Sequence, residues 1–290
     1  MKKSYIYNLL KKYKLISDSN LLLFNKKTRD VKKLKSYIDK KTKIIFLEKI
    51  NKREIYPKSN RVFTSKGLIK VTSISDTDRN RRIRQFNRFI KNKDILDYGC
   101  GSGDFLYKTR NIAKSVTGVD VKYKNIKYLK VKKINFFKYL KQISNIKFDT
   151  IFLFHSFEHL EKPDVILKQL KSLLKKKGKL VIEVPHANDF LLQRLKIDSF
   201  INFTLWSAHL ILHTKESLKT FLINAGFKKN EILFFQRYDL NNHLGWILYN
   251  KPGGHCFLKN KTTLKSRTFY NKFLIDNKST DTLISISRKI

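Results

Sequence analysis

Gly99, Gly101 and Gly103 stand at alternate positions, directly after the apolar run Asp94-Ile95-Leu96-Asp97-Tyr98. A strand that turns into a helix through such a loop lets backbone approach a ligand closely and aims amide groups at it. Neither familiar phosphate-binding pattern fits. A dinucleotide fingerprint needs glycine at position 104, which is Asp104, and a P-loop would end in Gly-Lys-Ser/Thr where this loop has Gly-Asp-Phe. The second chemical signal is histidine, with all seven in the second half of the chain. His155, His159 and His186 fall at or just past the ends of apolar runs, where a base working near neutral pH would be placed. The remaining four, at 209, 213, 243 and 255, are more remote in sequence. His155-x-x-Glu158-His159 also has the spacing of a zinc protease pattern, but that chemistry needs the motif on a metal-binding helix. Here the motif directly follows a buried strand. Glu158 and His159 are expected to organise the loop beside a ligand, and no metal is expected; a metal with His155 as a further ligand is the alternative.

These residues need a scaffold. From Lys93 onward short apolar runs alternate with amphipathic segments. Strands are expected at 94–98, 115–120, 132–137, 149–154, 180–184, 231–236 and 282–287. Ile166, Leu167, Leu170, Leu173 and Leu174 recur on one helical face after Pro163, which suits a first helical turn. Thr214 is placed to cap a helix carrying Leu218, Phe221, Leu222 and Ala225, closed by Gly226. Alternating strands and helices predict a mainly parallel sheet covered on both faces, with ligands at the carboxyl ends of its strands.

The run Ile95–Leu106 resembles the first motif, acidic-x-G-x-G-x-G, of the class I S-adenosylmethionine-dependent methyltransferases. Asp149–Leu160 is similar to that family's fourth strand and its loop, Gly178–Pro185 to its fifth strand, and His209–Phe227 to a late helix. The resemblance covers roughly residues 93–236, together with the strand near 282–287. It implies an α/β fold, a Rossmann-like seven-stranded, mostly parallel sheet with helices on both faces. It also implies S-adenosylmethionine as cofactor, held by Asp97, Tyr98, Gly99, Gly101, Gly103 and Phe105. Asp120 would hold the ribose hydroxyls, a role its two oxygens suit, with Val121, Phe154 and His155 beside it. Where many members carry an acid after the third strand, against the adenine amino group, this chain has Asn135. His159 and His186 are the expected catalytic bases.

Residues 1–90 read as a basic, mainly helical N-terminal appendage or lid punctuated by Pro57 and Gly67, and 91–290 as the methyltransferase domain. An insertion at about 236–270 combines aromatics, amides and histidines, so Arg237, Tyr238, Asn242, His243, Trp246 and His255 are expected to form a substrate cap. The expected acceptor is a small molecule, a sugar or surface-polysaccharide precursor. An RNA methyltransferase using the basic N-terminal region and a non-catalytic binding protein are the alternatives.

Composition bears on that choice. The chain has 290 residues with 63 basic and 23 acidic side chains, a formal charge of +40. Clustered cations attract nucleic acid. They are concentrated, however: residues 1–66 carry 20 basic and 5 acidic side chains, whereas 180–258 carry 8 and 6. The expected acceptor side is therefore nearly neutral, and A/T-rich codon drift explains the lysines without a nucleic-acid partner. Arg79, Arg81, Arg82, Arg84 and Arg88 form a cluster that reads either as a solvated helix face or as an anion contact. Two cysteines exclude a disulfide framework and a four-thiolate zinc site. No apolar run reaches the roughly 18–20 residues of a membrane-spanning helix, and the first residues lack the pattern of a signal peptide. A soluble cytoplasmic protein is expected.

Overall fold

A computed structural model describes residues 4–50, 73–121, 134–258 and 261–290. Pro57 and Gly67, and the first two residues of the expected third strand, lie outside them. The described elements in chain order are α1 (Tyr5–Lys12), β1 (Leu21–Asn25), β2 (Ser36–Asp39), β3 (Ile45–Leu47), α2 (Ser73–Gln85), α3 (Asn87–Ile90), β4 (Asp94–Tyr98), α4 (Asp104–Thr109), β5 (Ser115–Val119), β6 (Asn135–Phe137) and β7 (Phe148–Phe154). After β7 come α5 (Pro163–Leu173), β8 (Leu174–Pro185), α6 (Asp198–Thr204), β9 (Ile211–Leu212), α7 (Lys215–Asn224), β10 (Lys228–Phe235), α8 (Leu240–Tyr249), α9 (Gly254–Phe257), α10 (Leu264–Asp276) and β11 (Thr282–Arg288).

Seven strands form one sheet in the order β10-β11-β8-β7-β4-β5-β6. The pairs among β4 to β8 are parallel, and β11 alone runs against both its neighbours. The strand order reverses at β4, which has β5 on one side and β7 on the other. Loops leaving such a switch point diverge and open a crevice for a ligand. The glycine loop leaves β4 at this point, and the His155–His159 segment leaves β7 beside it.

Period-two alternation splits the core between the two sheet faces. Leu96, Ile151 and Leu153 pack on one side with Leu167 and Leu170 of α5 and Phe221 of α7. Ile95, Phe152 and Phe154 pack on the other with Phe86, Ile90, Phe105 and Leu106. The helix ends follow their sequence signals. Pro163 opens α5, and Thr214 and Ser217 form a reciprocal cap on α7. Gly226 turns the chain at φ +81.

The N-terminal region adds short strands to the expected helices. α1 is helical as expected, but residues 21–47 contribute three strands that continue into β9, giving a four-stranded antiparallel sheet in the order β1-β2-β3-β9. Ile6, Leu10 and Phe46 join the same core as Leu167 and Phe221. Ile44-Ile45-Phe46-Leu47 needs a partner strand to bury it, and the two-residue β9 provides one inside the larger domain.

Candidate functional site

The loop after β4 is built on left-handed backbone. Gly99, Gly101 and Gly103 have φ of +78, +54 and +78, a region that costs side-chain-bearing residues roughly 1–2 kcal/mol. Gly99 has a second reason to lack a side chain, because a Cβ there would stand 2.5 Å from Ser156 Oγ. Ser156 Oγ donates to Tyr98 O at 3.0 Å, so the β4 and β7 loops are stitched together. Gly101 instead faces open space, with nothing within 4 Å of where a Cβ would lie. Its amide donates to Asp120 Oδ2 at 2.8 Å. The carboxylate expected to hold hydroxyls thus also fixes the loop.

Asp97 is buried, and its Oδ1 has no hydrogen-bond partner. Burial pushes its pKa up to about 7, against the lowering effect of Arg82 and with a further push from Asp120. An orphaned buried carboxyl beside an open glycine loop is the environment that an ammonium group would relieve. Val121 next to Asp120 is 56% exposed, an apolar surface where an adenine ring would need one. These features fit S-adenosylmethionine: Asp97 would be the partner for its ammonium group and Asp120 for its ribose hydroxyls. Phe105 is placed differently from a contact residue. It is buried edge-on against Phe152 and Phe154 and supports the loop from below. Asn135 is exposed at the start of β6.

Over this edge lies an ion network that spans distant parts of the chain. Glu183, near the carboxyl end of β8, is fully buried. Its carboxylate receives Arg81 Nη1 and Nη2 at 2.7 and 2.9 Å and Arg82 Nη2 at 2.5 Å. Burial alone would raise the Glu183 pKa, but Arg82, His155 and Arg81 hold it well below the usual carboxylate range. The two guanidiniums also cover Phe235 and Phe154 at 4.6 and 4.4 Å. The arginine cluster of α2 therefore does contact an anion, one belonging to the chain itself. The signal for this was present as a glutamate inside an apolar strand, since buried charges must be paired.

His155 adopts φ +50 and lies between two carboxylates. Its Nε2 is 3.2 Å from Glu183 Oε1 and its Nδ1 is 3.5 Å from Glu158 Oε1. Burial disfavours its charge, but Glu158 and Glu183 outweigh that and raise its pKa. Arg237 reaches the same place from after β10, with Nη1 3.4 Å from His155 Nε2 and an ion pair to Asp78 of α2.

The expected residues divide by placement. Arg237 and Tyr238 come to the carboxyl edge, with the guanidinium 4.9 Å above the tyrosine ring. Trp246 is 2% exposed, packed by Phe200 and Phe203. His243 is held between Tyr270 OH and Gln236 Nε2, and Asn242 Oδ1 accepts from Gly253 N at 3.3 Å and lies 3.4 Å from His255 Nδ1. Most of the insertion is thus engaged in its own packing.

His186 is 2% exposed, with Nδ1 donating to Thr280 O at 2.9 Å. Burial lowers its pKa to about 4. His159 lies at the edge with Nδ1 donating to Ala208 O at 2.6 Å. Sequence position left His209 remote, yet its ring is 5.1 Å from that of His159.

A family model for a methyltransferase domain matches residues 76–232. Over 109 residues the chain is 32% identical to the ubiquinone biosynthesis O-methyltransferase of Pelagibacter ubique, covering 35% of this chain and 45% of that one. It thus spans less than half the length of that relative. A SAM-dependent methyltransferase from Archaeoglobus fulgidus has the same fold, with a TM-score of 0.51 and 22% identity over 74% of this chain and 94% of that one. A methyltransferase from Mesorhizobium loti gives 0.49 at 13% identity, over 75% and 100% of the two chains. A match over more than half of the residues, one that takes in the glycine loop, makes the chain a member of the methyltransferase-domain family and an S-adenosylmethionine-dependent methyltransferase.

Proposed function

We propose that the acceptor is a small molecule, bound between the cofactor loop and the residues that follow β10. The observation that supports this most is Arg237, which reaches His155 at the sheet's carboxyl edge and lies over the Tyr238 ring. It brings the proposed acceptor side directly against the proposed cofactor side. Bound S-adenosylmethionine supplies a methyl group already activated on sulfonium; the chain's task is to orient, to exclude water and to accept a proton.

Within that class, the aromatics and amides of the cap favour a sugar or surface-polysaccharide precursor. With Trp246, His243 and Asn242 occupied in packing, Tyr238 and Arg237 carry that reading. The relative from Pelagibacter, named as an O-methyltransferase, adds hydroxylated aromatics as a class to examine. His159 is the proposed base at the edge. His186 is proposed with it, although its burial and its bond to Thr280 O suit a support better.

The experiment is a labelled-methyl assay of the purified chain against sugar nucleotides, hydroxylated aromatics and total RNA. Transfer to a low-mass acceptor supports the reading. Transfer confined to RNA overturns it and favours the basic N-terminal region as an RNA-binding surface.

A further inference from the structure

We propose that Glu158, His159 and His209 form a binding site for one divalent transition-metal ion at the mouth of the acceptor side. One donor atom from each lies within 4.8 Å of the others. Two imidazoles and one carboxylate make a three-ligand set that leaves coordination positions open.

The site is built rather than incidental. Glu158 is 1% exposed, and neither carboxylate oxygen has a hydrogen-bond partner. A buried carboxylate in that condition is costly unless a cation faces it. His159 Nε2 approaches it at 3.8 Å and His155 Nδ1 at 3.5 Å. Both are longer than a hydrogen bond.

The two histidines are held in matching states. His159 Nδ1 is 2.6 Å from Ala208 O and His209 Nδ1 is 3.0 Å from Thr204 O. A carbonyl only accepts, so each Nδ1 carries the proton, and in the neutral ring each Nε2 carries the lone pair. Fixing the tautomer through the far nitrogen is how proteins orient metal-ligating histidines. The segment that brings His209 is itself tied down, with Leu210 N donating to Glu158 O at 2.9 Å. Trp206 walls the pair, with ring centroids 5.8 Å from His159 and 5.6 Å from His209.

Donor chemistry narrows the ion. Two imidazoles favour zinc, cobalt or nickel over magnesium, calcium and manganese, which suit oxygen ligands. Ligands of one ion with bonds of about 2.1 Å lie roughly 3–4 Å apart, so closing the site needs only small side-chain rotations. An open position would take an acceptor oxygen; His159 ligating through Nε2 could not then also serve as the base, so the ion would take over the task of activating the acceptor. This role rests on the small-molecule reading above; the ion site does not.

The test uses the full chain, stripped with a chelator and titrated with cobalt(II). The expected result is one ion per chain with visible absorption bands of imidazole–carboxylate coordination, displaced by zinc. His209→Ala and His159→Ala are each expected to weaken binding by at least about 10–100-fold, with the far-ultraviolet circular dichroism spectrum retained as evidence of folding. Glu158→Gln, with the same spectrum retained, is expected to weaken binding likewise. Cobalt binding that is absent, or unchanged in His209→Ala, overturns the proposal. Because no acceptor is present, failure here leaves the small-molecule reading standing. Conversely, metal binding without small-molecule methylation contradicts only that reading.

Discussion

Arg82 of α2 and Glu183 of β8 meet over the carboxyl edge of the sheet, 2.5 Å apart and 101 positions apart in sequence. The pair ties the helix that precedes the cofactor strand to the strand next to the proposed acceptor side. Glu183 has no access to water and answers Arg81, Arg82 and His155 together. Removing one partner of a buried ion pair strands the others, at about 3–5 kcal/mol. Glu183→Ala should therefore lower unfolding stability by about that amount in a denaturant titration. A loss below about 1 kcal/mol would mean that solvent screens the network.

The glycines of the loop should separate stability from binding. Gly101→Ala meets no neighbour and carries only a left-handed backbone cost of about 1–2 kcal/mol. It should nonetheless weaken S-adenosylhomocysteine binding, because its face is open to the ligand. Gly99→Ala carries the same cost and also collides with Ser156, so its unfolding midpoint should drop further. Equal stability of the two variants, measured by thermal unfolding, would contradict the placement of Ser156 behind Gly99.

Asp97 makes cofactor binding depend on pH. Its pKa is raised to about 7 in the unliganded protein, so the carboxyl is largely protonated below that value. An ammonium group favours the carboxylate, so binding should release a proton. Affinity should fall as pH drops below 7, by up to about tenfold for each pH unit. Calorimetry in two buffers of different ionisation enthalpy measures the released proton directly. Asp97→Asn should bind more weakly and without that proton release; unchanged proton release would sink the assignment.

His186 sets a slope in stability. Its pKa is about 4 when folded, against an ordinary 6.5, because burial disfavours the charged ring. The unfolded chain therefore binds the extra proton first. The stability this residue supports is fully present above about pH 6.5 and is lost progressively as pH falls to about 4, amounting to about 3 kcal/mol. Denaturant titrations at pH 7 and pH 4.5 should show a smaller difference for His186→Gln than for the unaltered chain. A general base contributes about 10²–10⁴-fold to rate, so a loss of methyl transfer below about tenfold in His186→Ala would remove it from that role.

What the sequence revealed was local. The glycine loop, Asp120, the strands of the large sheet and the caps of α5 and α7 each depend on residues within a turn or two. Pairings across the chain were hidden. Arg82 finds Glu183 only after β4 to β8 have assembled, and His209 reaches Glu158 because Leu210 bonds to its carbonyl. The strands of residues 21–47 were also hidden. They are short, separated by lysine-rich connections and bulged between Leu23 and Asn25, and their partner β9 is two residues long. Trp246 and His243 look like a binding surface in sequence, but only packing distinguishes a wall from its scaffold.

The central claim is methyl transfer to a small molecule. The most direct measurement is the fate of a labelled methyl group when the chain is incubated with S-adenosylmethionine and a small-molecule-containing cell extract, with Asp120→Ala as control. The predicted result is label in the low-mass fraction that is unaffected by ribonuclease and is lost with Asp120→Ala. Label that appears only in ribonuclease-sensitive material, or persists undiminished in Asp120→Ala, would contradict the account.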